Sequence, residues 1–273
     1  MLHVRAGQRL TLAILEAATA SLPVVDATGE PWRVDECTAS IGDLELPTSI
    51  GEGVPSAAIP PLSSLGAHTL LWQLTGSDAT VREYRTQLEV VGAHLCSLDD
   101  IRRYNKGADT DGFDDRVRYP DEMVFDARQR ATDAIESATG RAFSSRKAQQ
   151  VVYGTSPFVT LDHPDAHVVE SSVGHARLLT DCQCLVNGVG LLDLPYTLDI
   201  TYGTTWTPEE VRAAVVKLAA TYLRPLNRPE AATGESTDVG YISYTLAGRD
   251  GATGIPEVDA VIQRWARRRL GVM

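Results

Sequence analysis

The sequence is short of the features that mark membrane proteins, disulfide-bonded proteins and tight nucleic-acid binders. No stretch approaches the ~18 consecutive apolar residues that cross a bilayer, and no signal peptide is visible. The four cysteines are scattered, which fits a reducing compartment. There are 36 acidic residues against 25 basic ones, and the net charge of −11 is opposite in sign to that of proteins that grip phosphate backbones. We therefore expect a soluble protein, made in a cytoplasm, that does not bind DNA tightly.

The sequence also lacks the usual signatures of catalysis and cofactor binding. It contains no G-x-S-x-G, Walker A or G-x-G-x-x-G motif. His163 and His167 are four residues apart, but Pro164 between them disfavours a helical pair of metal ligands. Cys182 and Cys184 could share a strand face, yet no second cysteine pair completes a zinc site. We predict no enzymatic activity, no cofactor and no metal site.

The acidic stretch GADTDGFDDRVRYPDEM, residues 107–123, raises the question of a calcium loop. An EF-hand needs oxygen ligands at positions 1, 3, 5 and 12 and a glycine at position 6. With Asp109 in the first position, position 5 is Phe113; with Asp111 in the first position, position 6 is Arg116. Neither register fits. A looser calcium site stays open, but a solvated acidic turn that leads into a helix is the better interpretation.

Residues 1–92 carry the pattern of a small β-sandwich. Short segments that alternate between apolar and polar residues are separated by turn signals rich in glycine and proline. One such segment places Leu70, Trp72 and Leu74 on a single face, and residues 84–91 alternate in the same way. We therefore predict an all-β domain at the N-terminus.

From Gly92 onward helical signals begin. Ser97 and Asp100 form a capping-box pattern that predicts a short helix to about Lys106. A second helix is predicted from Pro120 to Gly140, since proline is tolerated at a helix start and glycine ends helices. Its predicted apolar stripe, rich in alanine and therefore open to close approach by a neighbouring element, consists of Met123, Ala127, Ala131, Ala134, Ile135 and Ala138.

Strand signals return at about 148–203, and two further helices are predicted after them. Thr207 is the predicted N-cap of the first, with Glu210 completing a capping box. Residues 227–254 are polar and glycine-rich, which predicts a flexible arm. The last helix is predicted at 256–270, with arginines crowding its C-terminal end, where positive charge suits the helix dipole.

Three segments together resemble the head–tail connector, or adaptor, proteins of long-tailed bacteriophages. They are SLDDIRRY at 97–104, ARQRATDAIESATGRAF at 127–143 and YTLDITYGTTWTPEEVRAAVVKLAATYL at 196–223. In that family the chain has an early helix, a helix that ends in T-G-R and a helix with the pattern P-x-x-V-x-x-A-V-x-x-L-A. The resemblance runs from Leu98 to the end of the chain, whereas the N-terminal part resembles an immunoglobulin-like (Ig-like) domain added to the usual adaptor.

The resemblance implies a fold class and a domain division. The fold would be α+β, with an N-terminal all-β Ig-like sandwich followed by a mainly α-helical connector domain that contains a β insertion. The sandwich would occupy residues 1–92 and the helical adaptor domain residues 93–273.

The resemblance also implies a role in the head–tail neck of a virion. Adaptors of this family form rings, usually twelve-fold, that sit beneath the portal, extend the DNA channel and offer a platform to the stopper or tail. The expected partners are other copies in a dodecamer, the portal protein, and a head-closure (stopper) or tail protein. Double-stranded DNA would pass through without sequence-specific binding, and no membrane is involved. Assembly would take place in the bacterial host cytoplasm, with the Ig-like domain on the outside of the ring.

Two groups of residues are the candidates for these contacts. Tryptophan and arginine are enriched at interface hot spots, so the end of the last helix is expected to dock on the portal through Arg264, Trp265, Arg267, Arg268 and Arg269. An acidic lumen would repel DNA phosphates and let the genome slide. The residues expected to face this lumen or a neighbouring subunit are Asp109, Asp111, Asp114 and Asp115.

An alternative function is a carbohydrate- or surface-binding protein that acts through the N-terminal sandwich. This function needs an exposed aromatic platform, for which residues 1–92 offer only Trp32, Trp72 and Tyr84 as large aromatics. A metal-dependent enzyme that uses the acidic stretch with His163 and His167 is a third hypothesis, which the failed ligand spacing disfavours.

Overall fold

The computed structural model is mostly β structure, divided between two compact units. In the described part of the chain strands account for 40% and helices for 22%. The first unit comprises Met1–His94 and Ser144–Thr205, and the second comprises Leu95–Phe143 and Trp206–Met273. The residues that the structure describes are 2–3, 9–26, 28–106, 112–154, 156–187, 194–224, 234–237, 240–243 and 253–267.

The predicted fold class, an all-β Ig-like sandwich followed by a mainly α-helical connector domain with a β insertion, is wrong. The chain is mostly β, and the residues predicted as an insertion contribute six strands that group with the N-terminal strands, not with the helices. Helix starts carry conspicuous capping residues, whereas a strand of three to seven residues shows only a short alternation. The sequence prediction therefore gave the helices too much weight.

Two sheets build the N-terminal part of the first unit. The four-stranded sheet has the order β1-β3-β7-β6, with β1 (Leu2–His3) parallel to β3. Its other strands are β3 (Ala18–Ser21), β6 (Thr48–Gly51) and β7 (Val54–Ile59). The five-stranded sheet has the order β2-β9-β8-β4-β5, with β2 parallel to β9. Its strands are β2 (Arg9–Ala13), β4 (Val34–Ile41), β5 (Leu44–Leu46), β8 (Gly66–Gly76) and β9 (Val81–Val91).

The predicted inner face of β8 is confirmed. Leu70, Trp72 and Leu74 are all 0% exposed, because alternate strand residues point to one side and this side carries the large apolar groups. On β9 the same alternation buries Thr86, Leu88 and Val90.

The strands after Ser144 form two further small sheets. One has the order β10-β15-β12, and the other has the order β11-β14-β13. Their ranges are β10 (Arg146–Val152), β11 (Phe158–Thr160), β12 (Ala166–Ser171), β13 (Ala176–Thr180), β14 (Gln183–Val186) and β15 (Tyr196–Tyr202). They enclose a core of their own, made of Val159, Leu161, Ala166, Cys184, Val186, Tyr196, Leu198 and Ile200. This separate core explains why the segment folds as a body and not as a loop between helices.

A shielded ion-pair network joins the two parts of the first unit. The carboxylate of Glu89 accepts from Arg146 Nη1 at 2.7 Å and pairs with Arg9 Nη1 at 3.2 Å. The side chains of Glu89 and Arg146 are only 15% and 8% exposed, so water screens their attraction little. The backbone N–H of Gly92 also donates to the carbonyl of Ser145 at 2.8 Å.

Four helices build the second unit around one core. They are α1 (Leu98–Arg102), α2 (Asp121–Thr139), α3 (Glu209–Leu223) and α4 (Pro256–Trp265). The capping box of Ser97 and Asp100 is confirmed, although α1 ends at Arg102 and not near Lys106. The stop at Gly140 is also confirmed, since this residue adopts the left-handed conformation at φ 64°.

Three details of the helix predictions are wrong. The last helix, predicted at 256–270, ends at Trp265. Met123 and Ala138 are exposed, and the buried stripe of α2 runs through Val124, Ala127, Ala131, Ile135 and Thr139. The third error is the predicted cap at the start of α3.

Glu210 does not form the predicted capping box with Thr207. Pro208 is the N-cap residue of α3, and no side chain hydrogen-bonds to the helix start there. The hydroxyl of Thr207 donates instead to the carbonyl of Phe143 at 3.1 Å. The carboxylate of Glu210 is therefore available for contacts with another helix.

Between α3 and α4 the described residues form a hairpin of β16 (Gly234–Thr237) and β17 (Gly240–Ser243). The rest of the predicted arm at 227–254 lies mostly outside the described residues. No helix in the described ranges is long and apolar enough to cross a membrane.

Replacing Gly140 by alanine is expected to lower the free energy of unfolding of the helical unit by about 1 kcal/mol. A Cβ added there meets nothing within 4 Å, so the whole effect is backbone strain at positive φ. Urea denaturation followed by helical circular dichroism measures it. Gly51→Ala is the matched control, because Gly51 also faces open space but lies outside the left-handed region. Equal losses in both variants would contradict the assigned cause.

Candidate functional site

The acidic loop before α2 is structured by its own charges. Asp114 pairs with the ammonium of Lys106, which lowers the pKa of Asp114 below its usual value. Asp115 Oδ1 accepts from the backbone N–H groups of Val117 at 2.9 Å and Arg118 at 3.1 Å. These carboxylates therefore close turns and bind neighbouring bases within the loop. The other two lumen candidates, Asp109 and Asp111, lie outside the described residues.

A buried arginine on α1, Arg102, anchors this loop. Arg102 is 4% exposed, and its guanidinium donates to the carbonyls of Phe113 at 2.7 Å and Tyr119 at 3.0 Å. It also pairs with Asp121 at 2.6 Å. A buried guanidinium that found no acceptors would be costly, so these bonds fix the two ends of the loop against α1.

The loop also depends on a glycine and on an aromatic contact. A Cβ added to Gly112 would lie 2.7 Å from the carbonyl oxygen of Arg102, and the residue has φ +65°. Phe113 and Tyr119 meet edge to face with ring centroids 5.0 Å apart. Both rings are buried, so the loop has a small core of its own. Among the described residues no group of three or more His, Cys, Asp or Glu side chains gathers to hold a metal ion.

The portal-docking candidates at the end of α4 contact Glu210 of α3. The carboxylate of Glu210 accepts from Trp265 Nε1 at 2.6 Å and binds the guanidinium of Arg264. The indole of Trp265 meets the ring of Phe143 edge to face, with centroids 5.6 Å apart. We call the contacts of Glu210, Arg264, Trp265 and Phe143 the Glu210 clamp. It fixes the C-terminal end of α4 against α3.

Further contacts hold both ends of α4. At its N-terminal end Glu257 binds the ammonium of Lys217 on α3. At its C-terminal end Arg141 Nε donates to the carbonyl of Trp265 at 3.0 Å, and the N–H of Arg267 donates to the carbonyl of Thr139 at 3.0 Å. Between them Val258 and Ile262 are buried in the helical core. Arg268 and Arg269 lie outside the described residues.

Sequence reasoning missed the partners of these side chains. The sequence pattern predicts Arg264 and Trp265 on one helix and Glu210 in a local cap, and it indicates no role for Phe143 and Lys217. The pair of adjacent glutamates at 209–210 is a usable signal, because one carboxylate suffices for the helix start.

The aromatic residues of the N-terminal sandwich do not form an exposed platform. Trp72 is 0% and Trp32 is 8% exposed, and the guanidinium of Arg82 covers the Trp32 ring at 4.3 Å. Tyr84 is half-buried. A sugar ring needs an accessible aromatic face, so the carbohydrate-binding alternative loses the feature on which it depends.

The thiols of Cys37, Cys96 and Cys184 are poorly placed to act as nucleophiles. Burial raises the pKa of Cys96 to about 12 and that of Cys37 to about 11, although the charge of Arg128 lowers the pKa of Cys96 in part. Cys184 is fully buried, and burial raises its pKa as well. A thiol that stays protonated near neutral pH reacts slowly. Of the two histidines in the metal-dependent hypothesis, His163 stacks on Tyr202 with ring centroids 4.2 Å apart.

No protein-family model and no curated protein matches this sequence. Among solved structures, the M4 domain of titin is 14% identical over 33% of this chain and 91% of that chain, with a TM-score of 0.24. Two titin domains in complex with telethonin are 11% identical over 73% and 80%, with a TM-score of 0.25. A cysteine protease inhibitor from Entamoeba histolytica is 13% identical over 33% and 93%, with a TM-score of 0.20. Likenesses this weak carry no argument about fold or function.

Replacing Arg102 by methionine is expected to lower the free energy of unfolding by about 3 kcal/mol, because two carbonyls and Asp121 lose a buried donor. Trypsin should then cut faster after Arg116 and Arg118, since both lie in the released loop. Arg103→Met is the control: this side chain is 73% exposed and pairs only at the surface with Asp99. It should change the stability by less than about 0.5 kcal/mol. Equal effects of the two substitutions would contradict the anchoring role of Arg102.

Replacing Glu210 by alanine is expected to speed amide hydrogen exchange in residues 258–265 by about tenfold, because α4 loses the acceptor of both Arg264 and Trp265. Mass spectrometry of deuterated peptides measures this rate. Glu209→Ala is the control, since Glu209 is 80% exposed and pairs with Arg212 one turn away on the same helix. If the two variants exchange alike, Glu210 does not hold α4.

Proposed function

We propose that this protein is a structural component of a bacteriophage virion that forms an adaptor ring between the portal and the stopper or tail. The observation that supports the proposal is which segments of the chain pack together in the helical unit. The segments with the adaptor-like motifs contribute to α1, α2 and α3, and these three helices share one core although about 70 residues of chain lie between α2 and α3. The helical parts of the three segments thus belong to one packed body, whereas residues 196–205 of the third segment lie in the first unit.

The internal packing limits which surfaces are left for contacts between subunits. The small residues of α2 and α3, such as Ala127, Ala131 and Ala219, are buried inside their own unit. They bring α2 and α3 close together within one chain, so they are not the subunit interface. The proposed ring contacts therefore lie on surfaces other than this alanine-rich face between α2 and α3.

The charge of the chain supports the proposed channel. A net charge of −11 per copy makes a ring of many copies strongly acidic. An acidic lumen repels the phosphates of double-stranded DNA, so the genome passes without being held. Asp114 and Asp115 remain proposed lumen or inter-subunit residues, at the surface of a loop whose shape Arg102 maintains.

The proposed portal contact lies on the outer face of α4. The Arg264 side chain is 68% exposed even while it pairs with Glu210, so part of its guanidinium is accessible. Trp265 is half-buried, and its ring packs against Phe143, which holds the end of α4 in place. We thus propose Arg264 as the contact residue, with Trp265 fixing its position.

Electron microscopy of the purified protein mixed with the portal protein of the same virus tests this function. We expect a ring docked at the narrow end of the portal. Arg264→Glu should reduce the docked fraction at least about tenfold, since it places an acid at the proposed contact. Arg33→Glu in the sandwich, where Arg33 is 82% exposed, is the control and should dock normally.

A second control separates docking from the Glu210 clamp. Glu210→Ala removes the clamp but keeps Arg264, so its docking should exceed that of Arg264→Glu. If the wild-type protein remains monomeric in the presence of the portal, the ring proposal is wrong. If Arg264→Glu docks as well as the wild type, the portal contact lies elsewhere.

A further inference from the structure

The tip of the acidic loop is a fixed turn that presents basic and aliphatic side chains. We call Arg116, Val117 and Arg118 the loop tip. The N–H groups of Val117 and Arg118 donate to Asp115 Oδ1, and the N–H of Tyr119 donates to the carbonyl of Asp115 at 2.8 Å. Turns mostly carry glycine, proline, asparagine, aspartate or serine, so turn formation does not explain a valine that is 95% exposed.

The loop tip carries positive charge that the loop itself does not neutralise. Asp121 accepts from both Arg102 and Arg116, so one carboxylate serves two guanidinium groups, and the Arg116 side chain stays 70% exposed. The guanidinium of Arg118 lies over the ring of Tyr119, 5.3 Å from its centre. An aromatic ring attracts a cation but leaves its charge in place. The tip therefore fits a partner surface that is acidic.

A second exposed side chain of the helical unit lies just before α3. Trp206 is 67% exposed, although the chain after it is fixed. The hydroxyl of Thr207 donates to the carbonyl of Phe143 at 3.1 Å, and Pro208 is buried. Tryptophan is among the residue types most enriched at interface hot spots. A large indole that a fixed backbone keeps in water is therefore placed to meet a partner.

Acidic side chains lie beside this indole. Glu209 is the first residue of α3 and follows the exposed tryptophan by three positions. Arg212 pairs with Glu209 at 3.4 Å and with Asp100 at 2.8 Å, which brings the start of α1 next to the start of α3. Asp99 pairs with Arg103 at 3.4 Å, so three carboxylates meet two guanidinium groups, and the side chains of Asp99 and Glu209 are 66% and 80% exposed. We call Asp99, Trp206 and Glu209 the tryptophan patch.

The loop tip and the tryptophan patch are complementary in charge and in apolar character. Among the described residues of the helical unit, Val117 and Trp206 are the most exposed large apolar side chains. Bases flank the valine and acids flank the indole, and such an arrangement orients two surfaces and excludes wrong partners. Within one chain the tip does not bind the patch, because Arg116 binds Asp121 and Val117 stays exposed. The patch of another copy is thus a fitting partner.

We propose that the loop tip of one copy docks on the tryptophan patch of the next copy, with Val117 against the indole of Trp206. The arginines of the tip then lie beside Asp99 and Glu209. This inference rests on the proposed ring, and it identifies the contact between its subunits. The tip and the patch are different surfaces of one chain, so the contact is head-to-tail and closes into a ring if the rotation closes. DNA phosphates also attract arginine, but they offer no apolar surface to a valine.

A charge exchange between two variants tests the contact. The tip variant carries Arg116→Glu and Arg118→Glu, and the patch variant carries Asp99→Lys and Glu209→Lys. Either variant alone has a tip and a patch of the same sign, so the concentration for half-assembly should rise at least about tenfold. In an equal mixture every tip finds a patch of opposite sign, so this concentration should return to within about threefold of the wild type. Light scattering in the presence of the portal protein measures it.

The control for net charge carries Arg33→Glu and Arg85→Glu on the N-terminal sandwich, where these side chains are 82% and 74% exposed. It changes the charge of the chain by the same amount as the tip variant, and it should assemble like the wild type. Equal losses in the control and in the tip variant would overturn the contact, because net charge alone would explain them.

A cross-link detects the same contact in chains that keep the arginines and the indole. One copy carries Val117→Cys and the other carries Glu209→Cys, and both carry Cys37→Ser and Cys182→Ser to remove the half-buried thiols. The mixture is assembled, treated with a short bismaleimide and run on a denaturing gel. The assembled fraction should give at least about tenfold more interchain product than the monomeric fraction. Arg33→Cys in place of Glu209→Cys is the control and should give little product.

The outcomes separate the contact from the proposed function. A tip variant that forms rings as readily as the wild type overturns the contact, and weaker binding of a short DNA duplex by those rings would assign the tip to phosphates. If the mixture of variants does not recover, the cross-link decides: rings without interchain product overturn the contact and leave the adaptor ring standing. Interchain product in dimers that never close into rings supports the contact and overturns the ring. Monomers at every concentration, with the portal present, overturn both.

Discussion

The helical unit depends on how the exposed side of the α2–α3 pair is covered. Two helices alone leave an apolar groove open to water, and here the short helix α4 fills it with Val258 and Ile262. The Glu210 carboxylate sets the position of α4, because it accepts from an indole and a guanidinium that belong to one turn of that helix. The same contact joins the proposed docking residue Arg264 to the core of the helical unit.

Arg102 plays the corresponding role for the acidic loop. Its guanidinium satisfies two carbonyls and one carboxylate in a buried position, so the turns of the loop form around it. The shape of this acidic loop is therefore maintained by a buried arginine, Arg102. Its described carboxylates Asp114 and Asp115 stabilise the fold, because they pair with Lys106 and close the turn at Val117 and Arg118.

Local signals were predicted well and distant ones poorly. The capping box of Ser97 and Asp100, the stop at Gly140 and the inner face of β8 each depend on residues a few positions apart, so the sequence displays them directly. The partners of Arg102 and Glu210 are up to 19 and 55 positions away. No periodicity reveals such pairs, and the predicted cap at Glu210 was wrong because a distant helix offered that carboxylate two better donors.

The sequence by itself determined the boundaries that local motifs mark, such as the capping box of Ser97 and Asp100 and the end of α2 at Gly140, because these follow from short-range sterics. It also determined the acidic charge and the lack of known catalytic motifs, which follow from composition. The tertiary structure decided that the chain is mostly β, that residues 144–205 pack with the N-terminal strands, and that Arg264 and Trp265 have a partner inside their own unit. Those outcomes depend on which apolar faces and charges find each other across long stretches of chain, and burial settles that only when the whole chain has folded.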